Sequence, residues 1–319
     1  MDSPSKKLSL AILGMIEGNG HPYSWSAIVN GYDPVRMKDC PYPVISQYLG
    51  RQPLASVRIP GARITHIWTD DPDDAPRVAA ASKIENIVRT PEEVIGKVDA
   101  VIIATDDGND HVRRAKPFIE AGLPVFVDKP LATNVPDLKQ FIAWQQAGAQ
   151  ILSASGMRYM PELEQVTERR DEIGELRWIT SFTCKTWERY GIHALEAVYP
   201  LLGPGFMSAQ TVHQEASDLV HLKHQSGAQV TIAAIHDAYG SFGNIHVYGT
   251  KGQLALTLQD TYTAFRRQLV AFIDMVRMKR MPLPFAQTLE LMTLIIAGIR
   301  SREQNGRAVM RAEICHELQ

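Results

Sequence analysis

Short apolar runs alternate with helix-length stretches through the first half of the chain. Leu8-Ser-Leu-Ala-Ile-Leu13 stops at Gly14, and Arg63-Ile-Thr-His-Ile-Trp68 runs into an acidic loop. Val98-Asp-Ala-Val-Ile-Ile-Ala104 and Pro124-Val-Phe-Val127 follow, each bounded by turn or polar residues. Near-continuous apolar strands of this kind predict parallel βαβ units whose helices cover both faces of one sheet. One such helix is expected over Asp137–Ala147, where Leu138, Phe141 and Ile142 share a face. Pro117 is expected to kink the helix that carries Val112, Ala115 and Ile119.

After about residue 155 the pattern changes. Leu176–Phe182, Leu219–His224, Gln229–Ala234, Asn244–Tyr248 and Gln253–Leu258 read as strands, several of them alternating. Turns such as Gln225-Ser-Gly-Ala and Gly249-Thr-Lys-Gly252 join them, which predicts a largely antiparallel, open sheet. A last helix is expected where Phe285, Leu289, Met292, Ile296 and Ile299 recur at spacings of four and three. The expected fold class is α/β. A doubly wound parallel sheet over residues 1–155 precedes an α+β domain over residues 156–319.

Length and composition narrow the function classes. The 319 residues suit two domains, and 33 basic against 35 acidic residues argue against a dedicated nucleic-acid binder. No apolar run approaches the roughly 20 residues of a membrane helix. The opening Met1–Gly14 shows no small-residue cleavage site, so no signal peptide is expected. Cys40, Cys184 and Cys315 are scattered, which fits a reducing, cytoplasmic compartment and no disulfide framework. His21, His66, His213, His221, His224, His236 and His246 lack ligand spacing and read as structural or surface residues, so no metal is expected.

Candidate chemistry begins where the first strand meets the first helix, because backbone N–H groups face phosphates there. Gly14-Met-Ile-Glu-Gly18-Asn-Gly20 is glycine-rich and correctly placed, but Tyr23 stands where a third glycine would belong. Asp70, just past the second strand, sits where a ribose-binding carboxylate would be. Fifty residues separate it from Gly20, so the segment from Tyr32 to Pro60 reads as an insertion. Taken alone, the loop serves equally as an ordinary turn, and Asp70 as part of a solvated acidic run.

Further motifs follow in order. Val101-Ile-Ile-Ala-Thr105 leads to a polar loop ending at His111, and Val125-Phe-Val-Asp128-Lys129-Pro130 ends a strand on a charged pair. Gly156-Met-Arg158-Tyr159-Met-Pro161, Gly191-Ile-His193-Ala-Leu-Glu196, Tyr248-Gly249-Thr-Lys-Gly252 and Ser301 to Val309 continue the series. Together these resemble the Gfo/Idh/MocA family of NAD(P)-dependent oxidoreductases, over most of the chain. Asp128-Lys129-Pro130 is similar to the family's EKP motif, and Gly191–Glu196 to its GxHxxD helix start.

The resemblance implies a Rossmann-type nucleotide-binding domain and a second domain for substrate and assembly. It implies hydride transfer between nicotinamide and a sugar, cyclitol or sugar-acid derivative. Lys129 and His193 are then the catalytic candidates. Gly14, Gly18, Gly20, Asp70, Thr105, His111, Asp128, Lys129 and Pro130 would hold NAD, or NADP, with Asp70 favouring NAD. Arg158, Tyr159, Arg189 and His193 would meet the substrate, and a homodimer or homotetramer is implied. Nicotinamide carries a hydride but no proton, so a neighbouring base is needed, and a positively charged nicotinamide disfavours an ammonium beside it.

The departures matter too. Arg189 stands where family members hold an aspartate four residues before the histidine, a change of two charge units. If Arg189 enters the site, it would lower the proton affinity of His193 and attract an anionic substrate. Otherwise it points to solvent or pairs with Glu188 or Glu196. Two other readings stay open at this level: a binding protein that retains the fold without catalysis, and an enzyme using NAD for transient oxidation within an elimination or hydrolysis.

Overall fold

The computed structural model describes residues 7–319, so Met1–Lys6, part of the opening over which no signal peptide is expected, lies outside the described residues. The first layer is a sheet of six parallel strands: β1 (Leu8–Leu13), β2 (Ala62–Trp68), β3 (Asn86–Ile87), β4 (Ala100–Ile103), β5 (Val125–Val127) and β6 (Ile151–Leu152). Their spatial order is β3-β2-β1-β4-β5-β6. Two mononucleotide-type halves therefore meet between β1 and β4, where the chain reverses direction across the sheet and leaves a crevice. β4 and β5 are buried throughout, as their unbroken apolar runs require.

Helices α1 (His21–Asn30), α2 (Pro43–Gly50), α3 (Asp74–Ser82), α4 (His111–Glu120) and α5 (Val135–Gln146) accompany this sheet. Helix α4 runs through Pro117 without ending there. The Tyr32–Pro60 insertion carries α2 and two single 3₁₀ turns, Arg36–Asp39 and Leu54–Ser56. The two short helices α6 (Glu164–Glu168) and α7 (Arg170–Ile173) then lead into the second layer.

That layer is a seven-stranded sheet of β7 (Leu176–Cys184), β8 (Phe206–Gln214), β9 (Ser217–His224), β10 (Gln229–Ile235), β11 (Asn244–Gly249), β12 (Gln253–Thr257) and β13 (Val309–Met310), in the order β12-β11-β7-β10-β9-β8-β13. It is antiparallel except where β7 runs parallel to β10. The strand β8 and the short closing strand β13 were not apparent from hydrophobic pattern. Ser301 Oγ accepts from the Thr211 amide at 2.9 Å and donates to the Arg307 carbonyl at 2.6 Å, which pins the tail so that β13 reaches β8.

One face of this sheet packs on helices α8 (Trp187–Leu202) and α10 (Phe285–Glu303). Helix α9 (Thr261–Met278) does something different. Its Leu269, Phe272, Ile273 and Met275 join the core of the first layer, beside Leu10, Ile12, Trp25 and Phe126. The chain ends with α11 (Arg311–Glu317).

Candidate active site

The loops after β1, β4 and β6 open onto a cavity of about 440 Å³ between the two layers, and Gly14, Asp70, Thr105, Asp128, Lys129 and Pro130 lie outside its lining. Glycine is needed at the end of β1: Gly14 has φ +91°, and a Cβ there would lie 2.7 Å from Thr105 Cγ2. Thr105 Oγ1 is buried with no hydrogen-bond partner. Asp70 accepts from the Met15 amide at 3.0 Å and from Arg114 at 2.6 Å, so one carboxylate joins β2 to the glycine loop and to α4. A glycine cradle, an unpaired hydroxyl and a carboxylate with acceptor capacity left, around the α1 N-terminus, fit a dinucleotide.

Other expected cofactor residues serve the frame. His111 is fully buried, with Nε2 2.7 Å from the Thr105 carbonyl and Nδ1 2.9 Å from that of Pro130. It clamps the β4 and β5 loops together and does not line the cavity. Gly20 is required for a neighbour: a Cβ there would lie 2.6 Å from both Tyr42 Cδ2 and Ile45 Cδ1, in the insertion. Gly18, at φ +77°, turns the loop over the cavity.

Asp128 is fully buried. It accepts from the Lys129 amide at 2.7 Å and from Asn19 Nδ2 at 3.1 Å, and lies 2.5 Å from His21 Nδ1. Asn19 also donates to the Ala104 carbonyl, tying the glycine loop to β4. His21, read from sequence as structural or surface, instead lines the cavity, its ring stacked 4.2 Å from Trp25. Its position on the first residue of α1, directly after the glycine loop, was the available signal.

Lys129 is 2% exposed. Its Nζ lies 3.5 Å from Asp106 Oδ2 and 4.8 Å from the centre of the Tyr190 ring, and Asp106 and Tyr190 line the cavity. The peptide bond from Lys129 to Pro130 is cis. Asp106, from the polar loop after β4, is the carboxylate the motif comparison missed. Burial pushes its carboxyl upward, but Lys129 and Arg189 outweigh that and hold it well below the usual carboxylate range.

Arg189 takes neither course foreseen from sequence. It forms a bidentate pair with Asp106 at 2.7 and 3.0 Å and donates to the Glu17 carbonyl, bridging the two layers. Glu188 is taken by Arg302 and Glu196 by Arg158. Arg158 also bonds Gln287 at 2.8 Å and lies over the Tyr199 ring, away from the cavity. Tyr159 is off the cavity as well, with a buried hydroxyl that has no partner.

His193 projects from α8 into the cavity, with Nδ1 2.7 Å from Ser155 Oγ and Nε2 left as the other proton site. Burial, with Lys129 adding, pushes its proton affinity well below the ordinary histidine range. The lowered direction matches the sequence argument, but Arg189 is not its source. Lys185 was also missed. Its Nζ bonds the Tyr190 hydroxyl at 2.8 Å and sits over that ring, and burial lowers its pKa. Among the described residues no His/Cys/Asp/Glu cluster is placed to hold a metal, and no helix is long and apolar enough to cross a membrane.

Residues 46–154 match the model of an oxidoreductase family with an NAD-binding Rossmann fold, GFO_IDH_MocA; the match begins beyond the glycine loop. Inositol 2-dehydrogenase 1 of Saccharopolyspora erythraea is 34% identical over 104 residues, 31% of each chain. Inositol 2-dehydrogenase 3 of the same organism is 24% identical over 229 residues, 62% of this chain and 66% of that one. The chain thus spans about a third and about two thirds of the lengths of these relatives. A myo-inositol dehydrogenase from Lactobacillus casei, solved in complex with NAD(H) and myo-inositol, shares the fold at a TM-score of 0.72. That likeness covers 95% of this chain and 96% of the other at 14% identity. Motifs, family model, relatives and fold point the same way: the chain is similar to the Gfo/Idh/MocA oxidoreductases, with the family match confined to residues 46–154 and the shared fold extending over the chain.

Proposed function

We propose that this chain is an NAD-dependent oxidoreductase acting on the CH–OH group of a sugar, cyclitol or related compound. Lys129 carries the reading: a buried lysine at the carboxyl end of β5, held beside Asp106, which lines the cavity. Bound NAD would exchange a hydride with the substrate carbon and leave the hydroxyl proton to the protein. The neutral amine of Lys129 takes that proton in the oxidative direction, and its ammonium returns it in the reductive one. Asp106, itself gripped by Arg189, fixes the position of Nζ. His193 is a poor proton store because it is buried neutral, so it orients the hydroxyl by hydrogen bonding.

Gly14, Thr105 and Asp70 would hold the nucleotide, with Asp128 and Pro130 shaping the strand end. Asp70 disfavours a 2′-phosphate by repulsion, and Arg114 offsets part of that, so NAD is proposed with a modest margin over NADP. Titrating NADH and NADPH while following energy transfer from protein to nicotinamide tests this. Saturable binding with NADH ahead is expected. No signal with either, in folded protein, would leave the non-catalytic binding protein as the better reading.

A second copy of the chain is the proposed partner. Phe182, Ala233, Leu219 and Val212 pair in register across β7, β10, β9 and β8 on the outer face, and Phe182, Leu219 and Val212 are exposed. A contiguous apolar row of this kind is unusual on a monomer. Light scattering at micromolar concentration is expected to show a dimer or tetramer, and a 35.5 kDa species would count against it.

A further inference from the structure

We infer that the substrate of this site carries an apolar ring, of aryl type, beyond its reacting alcohol. The inference rests on the function proposed above and narrows its substrate class.

The cavity is lined largely by carbon. His21, Asp106, Ser155, Tyr190 and His193 are among its polar side chains. Around them stand Tyr42, Ile45 and Tyr48 of the insertion, Met157, Phe242, and Phe265 from α9. Phe265 lies edge-on to His21 and Phe242 edge-on to His193, with ring centres 5.4 Å apart in each case. A polyol with a hydroxyl on every carbon needs partners all round its ring, because a polar group buried against carbon loses its water without replacement. The carbon wall offers few. The Tyr48 hydroxyl is already bonded to Ser24 Oγ, which leaves the hydroxyls of Tyr42, Tyr239 and Thr261 among these apolar neighbours. Three of these side chains pack directly on backbone. A Cβ on Gly20 would meet Tyr42 and Ile45 at 2.6 Å, and one on Gly156 would meet Phe265 Cδ1 at 2.7 Å. A flat apolar group fits this wall, through offset or edge contacts with the Tyr42, Phe242 and Phe265 rings.

The test is calorimetric and needs no turnover. Wild-type protein is first titrated with NADH, which alone decides whether the nucleotide reading stands. Phenyl β-D-glucopyranoside, methyl β-D-glucopyranoside, myo-inositol and benzyl alcohol are then titrated into the NADH-saturated protein. A single methylene in an apolar pocket is worth roughly 10- to 200-fold, so phenyl should exceed methyl glucoside by at least about tenfold in affinity. Phe265→Ser should bring that ratio below about threefold. Ile45→Thr on α2 is the second arm, should Phe265→Ser fail to fold by circular dichroism. Equal affinities, tighter binding of inositol, or no binding by either aryl compound while NADH binds would overturn the inference. Loss of NADH binding itself would overturn the proposed function instead.

Discussion

Arg158 and Arg189 make the same kind of contact, an arginine against a buried carboxylate, in two different places. Arg158 meets Glu196 inside the second layer, with side-chain exposures of 8% and 2%, and Gln287 completes its surroundings. Arg189 meets Asp106 across the gap between layers, 34% exposed on its own side, and its carboxylate is shared with Lys129. The first pair holds α8 to the segment after β6. The second sets charge at the mouth of the cleft. Both arginines were expected to face substrate, and geometry separates a pair buried within one layer from one whose carboxylate is shared with Lys129.

Removing Lys129 is the strongest way to probe the cleft pair. Lys129→Met should cut turnover roughly 100- to 10,000-fold, the usual worth of a positioned acid–base group. NADH affinity, read by fluorescence, should change far less. A loss below tenfold on the true substrate would move the proton role elsewhere, with Lys185 next in line.

Glu196→Gln attacks the interior pair. Stranding a buried arginine without its carboxylate typically costs about 3–5 kcal/mol, and denaturant unfolding should show a loss of that order. Glu196 is held above the ordinary carboxylate range because burial outweighs Arg158, so its ionised form depends on that arginine. A change under about 1 kcal/mol would mean the pair does little for stability.

His193 lies on α8 between the two pairs. Its lowered pKa means the unfolded chain binds a proton below about pH 6.5 that the folded chain refuses. Stability contributed by the neutral ring is thus full above that pH and falls on acidification, by up to about 1.4 kcal/mol per pH unit. His193→Gln should flatten the stability curve between pH 6.5 and 5. An unchanged slope would show that the folded ring protonates freely.

Arg189→Ala should have the smallest effect. The pair is partly solvated, so a stability loss of about 1 kcal/mol or less is expected. Because Asp106 already neutralises Arg189, wild type and variant should treat matched neutral and acidic sugars alike. A preference for acids that vanishes in the variant would restore the charge-attraction idea raised by the sequence.

Strand positions and the strand-end motifs were legible because buried parallel strands and tight turns leave local signatures. Leu8–Leu13, Gly14 and Asp128-Lys129-Pro130 lie where their local chemistry puts them. What stayed hidden depends on residues far apart in sequence. Asp106 meets Arg189 across 83 positions, and no periodicity reports a contact of that kind. Gly20 looked like a phosphate glycine, yet its constraint comes from Tyr42 and Ile45. Arg158 and Tyr159 follow the family spacing, but the structure places them off the cavity. The apolar wall of the cavity is assembled from the insertion, the turn after β6, the segment before β11 and α9, so no single stretch announces it.

Helix α9 bears on how the chain is made. Synthesis delivers residues 1–155 long before Thr261–Met278, yet Leu269, Phe272, Ile273 and Met275 cover apolar surface of the first sheet. While the intervening second sheet is being translated, Ile12, Trp25 and Phe126 wait without their final cover. A nascent chain in that state exposes surface prone to association, the usual ground for chaperone capture. A gene fragment cut at residue 155 would leave that gap permanent, and its product should aggregate where the full chain stays dispersed.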